Sequence, residues 1–549
     1  MDDTEDLSEE VMNLLSLCPE DDSGNVEYNR QLKNPSKKTL EKKSTQMQFR
    51  MKQGNGECIY IIGVNDDGSP CGQNIEEQEL TIEILQKIAD MNDYSLKIMD
   101  TRIFKDRTIQ RIFIRENNIT QYRELRIGVT GRVDAGKSSL VGTLSTGEMD
   151  DGNGKTRTYA LHFKHEIETG RTSSISQQIV GYDLEGKHIP MHNDLKKFTW
   201  QELTSKSAKI VTLFDLAGHA SYSHTTYKGI SSNHLDYIFV IVAANMGITS
   251  KDMTIEHIRM SMAHRIPLIF IISKMDLVED KPKILEETIN SIYKVFARGF
   301  KKKFLMINDI GDVLTAVENC NKGNYIPMFK ISIVKNTGLD ILHEFLNLCP
   351  PRHTFDHEAP VEFEVADTYM VGGVGIIIGG FLSKGTIKIG EMYYLGPDKN
   401  QNFQEVKVRT IQVKRKNTNE ARAGKYVCLG IPKIKRKDIK GGMVIVKLKP
   451  KAVTKFSGEI FVHEHHHTTV KVGYTPLLIL RSYRSAVKIT EINCEENVNI
   501  RNSKESAPRG KKINAQFELV YRPCFLSKDD RIILVEGTLR IVGKITDII

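Results

Sequence analysis

The stretch Gly131-Arg-Val-Asp-Ala-Gly136-Lys137-Ser138-Ser139 follows the apolar run Leu125 to Val129 and precedes a helix-like run from Leu140. It fits G-x-x-x-x-G-K-[ST] at every defined position, and in the strand–turn–helix context that the pattern requires. No other feature of the chain constrains its fold as tightly. The glycines let the backbone curl so that its N–H groups converge on phosphate oxygens. The helix that starts near Lys137 aims its positive end at the same point. Lys137 is placed to reach the β- and γ-phosphates and Ser138 to bind Mg²⁺, with Gly131, Asp134, Ala135, Gly136 and Ser139 forming the turn around them.

Around this turn, from 123 to 350, apolar strands alternate with amphipathic helices. The strand candidates are LRIGVTG, KIVTLFDLAG, YIFVIVAA, PLIFIISKMD and YIPMFKISI. Near-continuous apolar runs suit a parallel sheet covered on both faces, so an α/β domain is expected here. The proline-rich segment Cys349 to Pro360 reads as a linker. Beyond it, short strands separated by glycine turns predict two β-barrels, at 357–450 and 453–549. Before the central domain, Glu57 to Ser69 reads as a buried strand and turn. Ile75 to Met91 reads as a helix with Leu80, Ile84, Leu85 and Ile88 on one face. Two more strands complete a small α/β domain at 51–122. Residues 1–50 are polar and aperiodic and read as a disordered tail.

The 549 residues suit three or four domains, and 40% hydrophobic with 27% charged residues suits a soluble multidomain protein. No run approaches the ~20 apolar residues of a membrane helix, so no membrane partner is expected. The acidic N-terminus lacks the apolar centre of a signal peptide. Eight cysteines are scattered with no C-x-x-C pair, which argues against thiolate zinc and disulfides and for a reducing, cytoplasmic setting. The net charge of +8 permits a polyanionic partner without requiring one.

Three further motifs follow in order. Asp215 and Gly218 lie in FDLAGH at a strand end, where the carboxylate can hold Mg²⁺ through water and the glycine N–H can face a γ-phosphate. His219 is either a surface histidine on that loop or a residue that orients an attacking water. Ser273, Lys274 and Asp276 in ISKMD match the guanine rule [NT]-K-x-D at its last two positions. The carboxylate of Asp276 accepts from guanine N1 and N2 donors that adenine lacks. Ser273 replaces Asn or Thr and keeps a hydroxyl that can reach the phosphate-binding turn, with a shorter arm. Ser332, at the end of the last strand, is placed to support the base.

With these residues assembled, the chain resembles the translational GTPases, and in detail the GTP-binding protein 1 and 2 family. The detailed resemblance rests on STGEMDDGNGKTR, KHEIETGRTSSIS, FDLAGHASYSHTTYKGI and the N-terminal YIIGVNDDGS. It continues into both expected barrels through ADTYMVGGVGIIIGGFLSKGTIKIGEMYYLGP, FSGEIFVHEHHHTTVKVGYTPLLILRSYRSAVKI and VEGTLRIVGKITDII, and so runs from near Gly56 to the end. The resemblance implies GTP/GDP and Mg²⁺ as ligands, Thr172 of GRTSS as a switch residue on Mg²⁺, and His219 as the water-orienting residue. It implies a monovalent cation near Asp134. Arg132 departs from the histidine of GHVDxGK at a variable position. A ribosome, aminoacyl-tRNA or other RNA is the implied partner, and a monomer the expected state. Rival readings are an RNA- or tRNA-binding adaptor with little hydrolysis, and a regulatory GTPase attached to another enzyme.

Two features stand outside these motifs. His463, His465 and His467 in HEHHHTTV can share one strand face, as a metal site or as the related turn of the family. The basic runs at Lys301–Lys303, Lys414–Lys416, Lys433–Lys437 and Arg509–Lys512 read as solvated loops or as RNA contacts, since phosphate attraction needs only clustered charge. Richness in Ile, Asn and Lys hints at an AT-rich genome, as in a protist or a large DNA virus.

Overall fold

The structure, a computed structural model, describes residues 19–20, 24–32, 35–104, 107–117, 122–161, 166, 175–193, 196–219, 222–249, 252–297, 302–320, 325–372, 375–432, 434–462, 470–493, 512–536 and 539–549. Thr172, Lys301, Lys433, His463 to His467 and Arg509 to Lys511 lie outside them.

The first sheet is built on Glu57–Ile62, buried along its whole length. Val26–Asn29 pairs with it in parallel on one side, Arg107–Glu116 antiparallel on the other, and Tyr94–Phe104 is outermost. The helix expected over Ile75–Met91 spans those residues. Asn74 accepts from Glu77 N while the Glu77 carboxylate returns to Asn74 N, a reciprocal cap that fixes its start. Ile84, Leu85 and Ile88 are buried against Cys58, Tyr60 and Ile62 of the sheet, with Leu80 at the margin.

The expectation of a disordered tail over 1–50 is corrected within the described residues. Val26–Asn29 is a strand of this sheet, and Lys37–Gln53 is a helix that buries Met47 and Met51 on the same core. Polarity alone misled the reading because part of the charge is paired inside. Arg50 Nε lies 2.8 Å from Glu27 Oε2, and the same guanidinium meets Glu20. The α/β domain therefore begins well before residue 51.

The central sheet runs in the order 303–306, 325–330, 268–273, 237–243, 123–131, 209–215, 176–182, 188–189. The pairs from 303–306 through 209–215 are parallel, and 176–182 and 188–189 are antiparallel additions. Strand 123–131 is central: the chain first lays 176–182 and 209–215 on one side of it, then 237–243 and the remaining strands on the other. A crevice outside its carboxyl end is where doubly wound sheets bind ligands.

The second β domain is an eight-stranded antiparallel sheet with a two-stranded ribbon, Thr386–Lys388 with Glu420–Arg422, around one apolar core. Its described strand pairings do not close into a ring. The last domain is a closed six-stranded barrel: Lys455–Phe461, Lys512–Leu519, Tyr483–Asn493, Leu477–Leu480, Arg531–Glu536 and Leu539–Ile548.

Charged contacts hold the domains together. Lys414 Nζ of the second domain lies 2.7 Å from Glu124 Oε1 and donates to Thr212 Oγ1 at 2.8 Å, both on central strands. Burial alone would raise the Glu124 pKa, but Lys414 and Arg126 outweigh it and bring the carboxyl down to about 2. Arg126 donates to Gly424 O at 2.7 Å and stacks over Phe381 at 4.6 Å. Lys414, expected in a solvated basic run, is thus buried in an interface, while Arg415 stacks on Trp200.

Candidate functional site

Strand Arg123–Gly131 ends where the phosphate-binding turn begins, and helix Lys137–Thr146 starts directly after it. Gly131 has φ 145°, and a Cβ there would lie 2.3 Å from Ile241 O of the adjacent strand, so only glycine lets the turn leave the sheet at this point. Asp134 and Gly136 both take left-handed backbone, φ 64° and 88°. Lys137 is buried and donates to Arg132 O at 2.9 Å. Burial pushes its pKa down, while Asp215 and Asp134 act in the other direction.

Asp134, Gly136, Lys137, Ser138, Ser139, Gly218, His219, Ser273, Lys274 and Asp276 line one cavity of about 280 Å³. Gly131, Ala135, Asp215 and Ser332 are not among its lining residues, but Ala135, Asp215 and Ser332 bond to Ser273, Ser138 and Asp276, which are. Ser138 Oγ donates to Asp215 Oδ2 at 2.5 Å, which brings a hydroxyl from a helix start and a carboxylate from a strand end to one point. That donor pair fits a hard divalent cation.

At the other end, Ser273 Oγ donates to Ala135 O at 2.7 Å, so the serine spans from its strand to the phosphate-binding turn. Lys274 is left-handed, φ 60°, and Ser332 Oγ donates to Asp276 Oδ1 at 2.5 Å, which fixes the carboxylate. Leu277, Ile331, Ile333 and Val334 give this end apolar walls. A flat ring that presents two N–H donors to Asp276 matches this arrangement. His219 lies at the opposite end beside Gly218, with its ring 6.1 Å from that of Tyr222 and its carbonyl accepting from Tyr222 N.

Sequence reasoning missed two groups. Asp150, Gly152, Asn153, Gly154 and Arg157 line the same cavity. The Asp-Asp-Gly-Asn-Gly cluster shortly after helix Lys137–Thr146 was the available signal, because such residues build turns by side-chain-to-backbone hydrogen bonds. Asp150 indeed accepts from the N–H groups of Gly152, Gly154 and Thr156. The second group is His257, buried beneath the turn with Nδ1 2.5 Å from Thr130 Oγ1. Burial first, then Lys137, pushes its pKa down to about 3, so the ring is neutral there. Nothing in the helical pattern of Met253–Ala263 distinguished it from a surface histidine.

Residues 123–352 match the Elongation factor Tu GTP binding domain family. GTP-binding protein 1 of Xenopus laevis is 33% identical over 523 residues, 94% of this chain and 78% of that protein. GTP-binding protein 2 of Mus musculus and of Homo sapiens is 31% identical over 547 residues, 97% of this chain and 88% of theirs. Among solved structures, translation elongation factor SelB from Methanococcus maripaludis, in complex with the GTP analogue GppNHp, superposes with a TM-score of 0.53 at 17% identity, covering 78% of this chain and 80% of that one. The bacterial selenocysteine-specific elongation factor EF-Sec superposes with a TM-score of 0.53 at 16% identity, and this chain spans 58% of its length. Among the described residues, no helix is long and apolar enough to cross a membrane.

Proposed function

This chain belongs to the GTP-binding protein 1 and 2 family, within the translational GTPases, and from that premise we propose that it hydrolyses GTP to GDP and phosphate as a conformational switch on the ribosome or with tRNA. One observation carries the reading. Helix Ser223–Ser232, which follows the cavity residues Gly218 and His219 along the chain, contacts both later domains. Lys228 of that helix pairs with Asp367 of the second domain, and Ser231 Oγ donates to Arg481 O of the barrel at 2.9 Å. A change at Asp215 to His219 is thereby transmitted to surfaces that bind other molecules.

In this reading Lys137 and the turn's N–H groups hold the phosphates, and Asp276, supported by Ser332, selects guanine. Mg²⁺, when bound at Ser138 and Asp215, with Thr172 joining in the GTP state, neutralises charge between the phosphates. His219 orients the water that attacks the γ-phosphate. The Ser273 bond to Ala135 links base recognition to phosphate binding. Turnover by the chain alone is slow, and the ribosome completes the site. The protein acts as a cytoplasmic monomer. A monovalent cation beside Asp134 is part of the proposal.

Exposed Arg409, Lys435, Arg436, Lys437 and Lys440 on the second domain favour RNA as the partner's chemistry. That surface also supports the second reading, a GTP-dependent RNA or tRNA adaptor with little hydrolysis of its own.

Single-turnover GTP hydrolysis with and without ribosomes tests the proposal. Stimulation by ribosomes is expected, and His219→Ala should bind GTP normally yet lose it. Intact GTP binding without ribosome stimulation rejects the switch in favour of the adaptor.

A further inference from the structure

We propose that Arg157 is a phosphate-contacting residue of the nucleotide cavity, supplied by the segment that follows the phosphate-binding helix. The inference rests on the proposed GTP site and adds a cation to it that no motif assigns.

Three observations carry it. The first is placement. Arg157 lines the same cavity as Lys137, Ser138 and Asp276. The residue before it is pinned to the phosphate-binding helix from several sides. The Thr156 hydroxyl lies 2.9 Å from Asp150 Oδ1 and 3.0 Å from Ser139 O, and it accepts from Thr143 Oγ1 at 3.2 Å. Thr156 O also packs where a side chain on Gly142 would stand. The Arg157 backbone is therefore fixed relative to Ser138 and Ser139, as a binding residue requires.

The second is direction. The side chain folds over Gly154, itself a wall of the cavity. A Cβ on Gly154 would lie 2.7 Å from Arg157 Nε and 3.1 Å from Cζ. The guanidinium thus lies against the cavity wall and not out in solvent.

The third is charge. Among the described residues, Arg157 has no carboxylate within ion-pair distance. The nearest acids in sequence are engaged elsewhere. Asp150 accepts from three backbone N–H groups, Asp151 from those of Asn153 and Lys155, and Glu148 pairs with Lys155 at 2.9 Å. A guanidinium without a protein anion, at the rim of a cavity that already holds one lysine for phosphates, matches the charge and fork geometry of a phosphate group.

The test is equilibrium binding by the full chain of GDP, a non-hydrolysable GTP analogue and guanosine, the last by competition. Arg157→Ala should bind GDP and the analogue about tenfold more weakly, the size of one charge-assisted hydrogen bond, with guanosine unchanged. Arg157→Lys, which keeps the charge and loses the fork, should fall between the two. Wild-type GDP binding with Arg157→Ala within twofold of it overturns this inference alone. Equal loss of guanosine does the same, since it marks Arg157 as wall packing only. A wild-type chain that binds neither nucleotide overturns the proposed function and this inference with it.

Discussion

Lys209, the first residue of the strand that ends in Asp215, lies fully buried 3.5 Å from Glu57 of the N-terminal sheet. The same carboxylate pairs with Arg115 at 2.9 Å and lies 3.9 Å from Arg123. Lys209 also donates to the carbonyls of Asn347 and Cys349, at the exit from the central domain. Burial pushes the Glu57 pKa up, but the three cations overcome it and leave the carboxyl below its ordinary value. The N-terminal domain is therefore bonded to the nucleotide strand and to the linker at once.

Removing Glu57 should be costly. Glu57→Gln leaves Lys209, Arg115 and Arg123 buried around a neutral amide, and uncompensated buried charge costs about 3–5 kcal/mol. Urea unfolding of the full chain should show that loss. Glu83→Gln, which breaks the exposed pair with Lys87, should leave the urea midpoint unchanged.

Ser273→Ala removes the donor to Ala135 O and leaves that carbonyl without it. One such bond is worth about 1 kcal/mol, so GDP should dissociate roughly fivefold faster. Ser273→Asn restores the usual residue of the guanine rule and should slow release to the wild-type rate or below. Stopped-flow release of a fluorescent GDP reads both. No change in Ser273→Ala would show that the bond does not link the base and phosphate ends of the site.

The fold around the glycine-rich turn was readable in the sequence because it obeys local rules. Strand, glycine turn and helix are contiguous around Lys137, and Asp215 ends, while Asp276 closely follows, a strongly apolar strand. The parts that were not readable depend on distant partners. Lys37–Gln53 looks too polar to fold until Arg50 meets Glu27 and Glu20. Lys414 looks like a solvated lysine until Glu124 is placed opposite it. Arg157 and His257 acquire meaning only when Thr156, beside Arg157, bonds to Ser139 and His257 meets Thr130. Charge pairing over long sequence separation leaves no periodic trace, whereas apolar burial does.

Acid should weaken the fold before its carboxylates titrate. His343 and His188 stack at 4.3 Å behind the phosphate-binding helix, and Tyr182 Oη lies 2.9 Å from His343 Nδ1. Burial lowers His343 from 6.5 to about 4, and burial with His343 lowers His188 to about 3. In the unfolded chain both bind protons near 6.5, so the stability from keeping them neutral is complete above that pH. It is lost as pH falls through 6.5 towards 4, at roughly 1 kcal/mol per pH unit for each ring. Thermal midpoints at pH 7.5 and 5 should differ accordingly, and His343→Gln should reduce the difference. An unchanged difference would assign the acid response to other groups, such as His257 and His264, which are also held low by burial.

Arg481 joins three of the domains around helix Ser223–Ser232. Its guanidinium lies 2.9 Å from Glu362 Oε1, 3.1 Å from Glu364 Oε1 and 2.5 Å from Asp530 Oδ1, while its carbonyl accepts from Ser231 Oγ. Glu364 also meets His234, just beyond the helix, at 3.3 Å. Arg481→Met removes the cation that the three carboxylates share, leaving only Lys384 on Glu362 and His234 on Glu364, and like charges in a buried site repel. The barrel should then separate from the second domain and from Ser231. The nucleotide cavity, which Arg481 does not touch, should keep its GDP affinity within about twofold. Small-angle scattering with GDP and with a non-hydrolysable analogue distinguishes the outcomes. Wild type should change shape between the two nucleotides, and Arg481→Met should be expanded in both. A variant that still changes shape as wild type does would show that the switch is transmitted through Lys228–Asp367 alone.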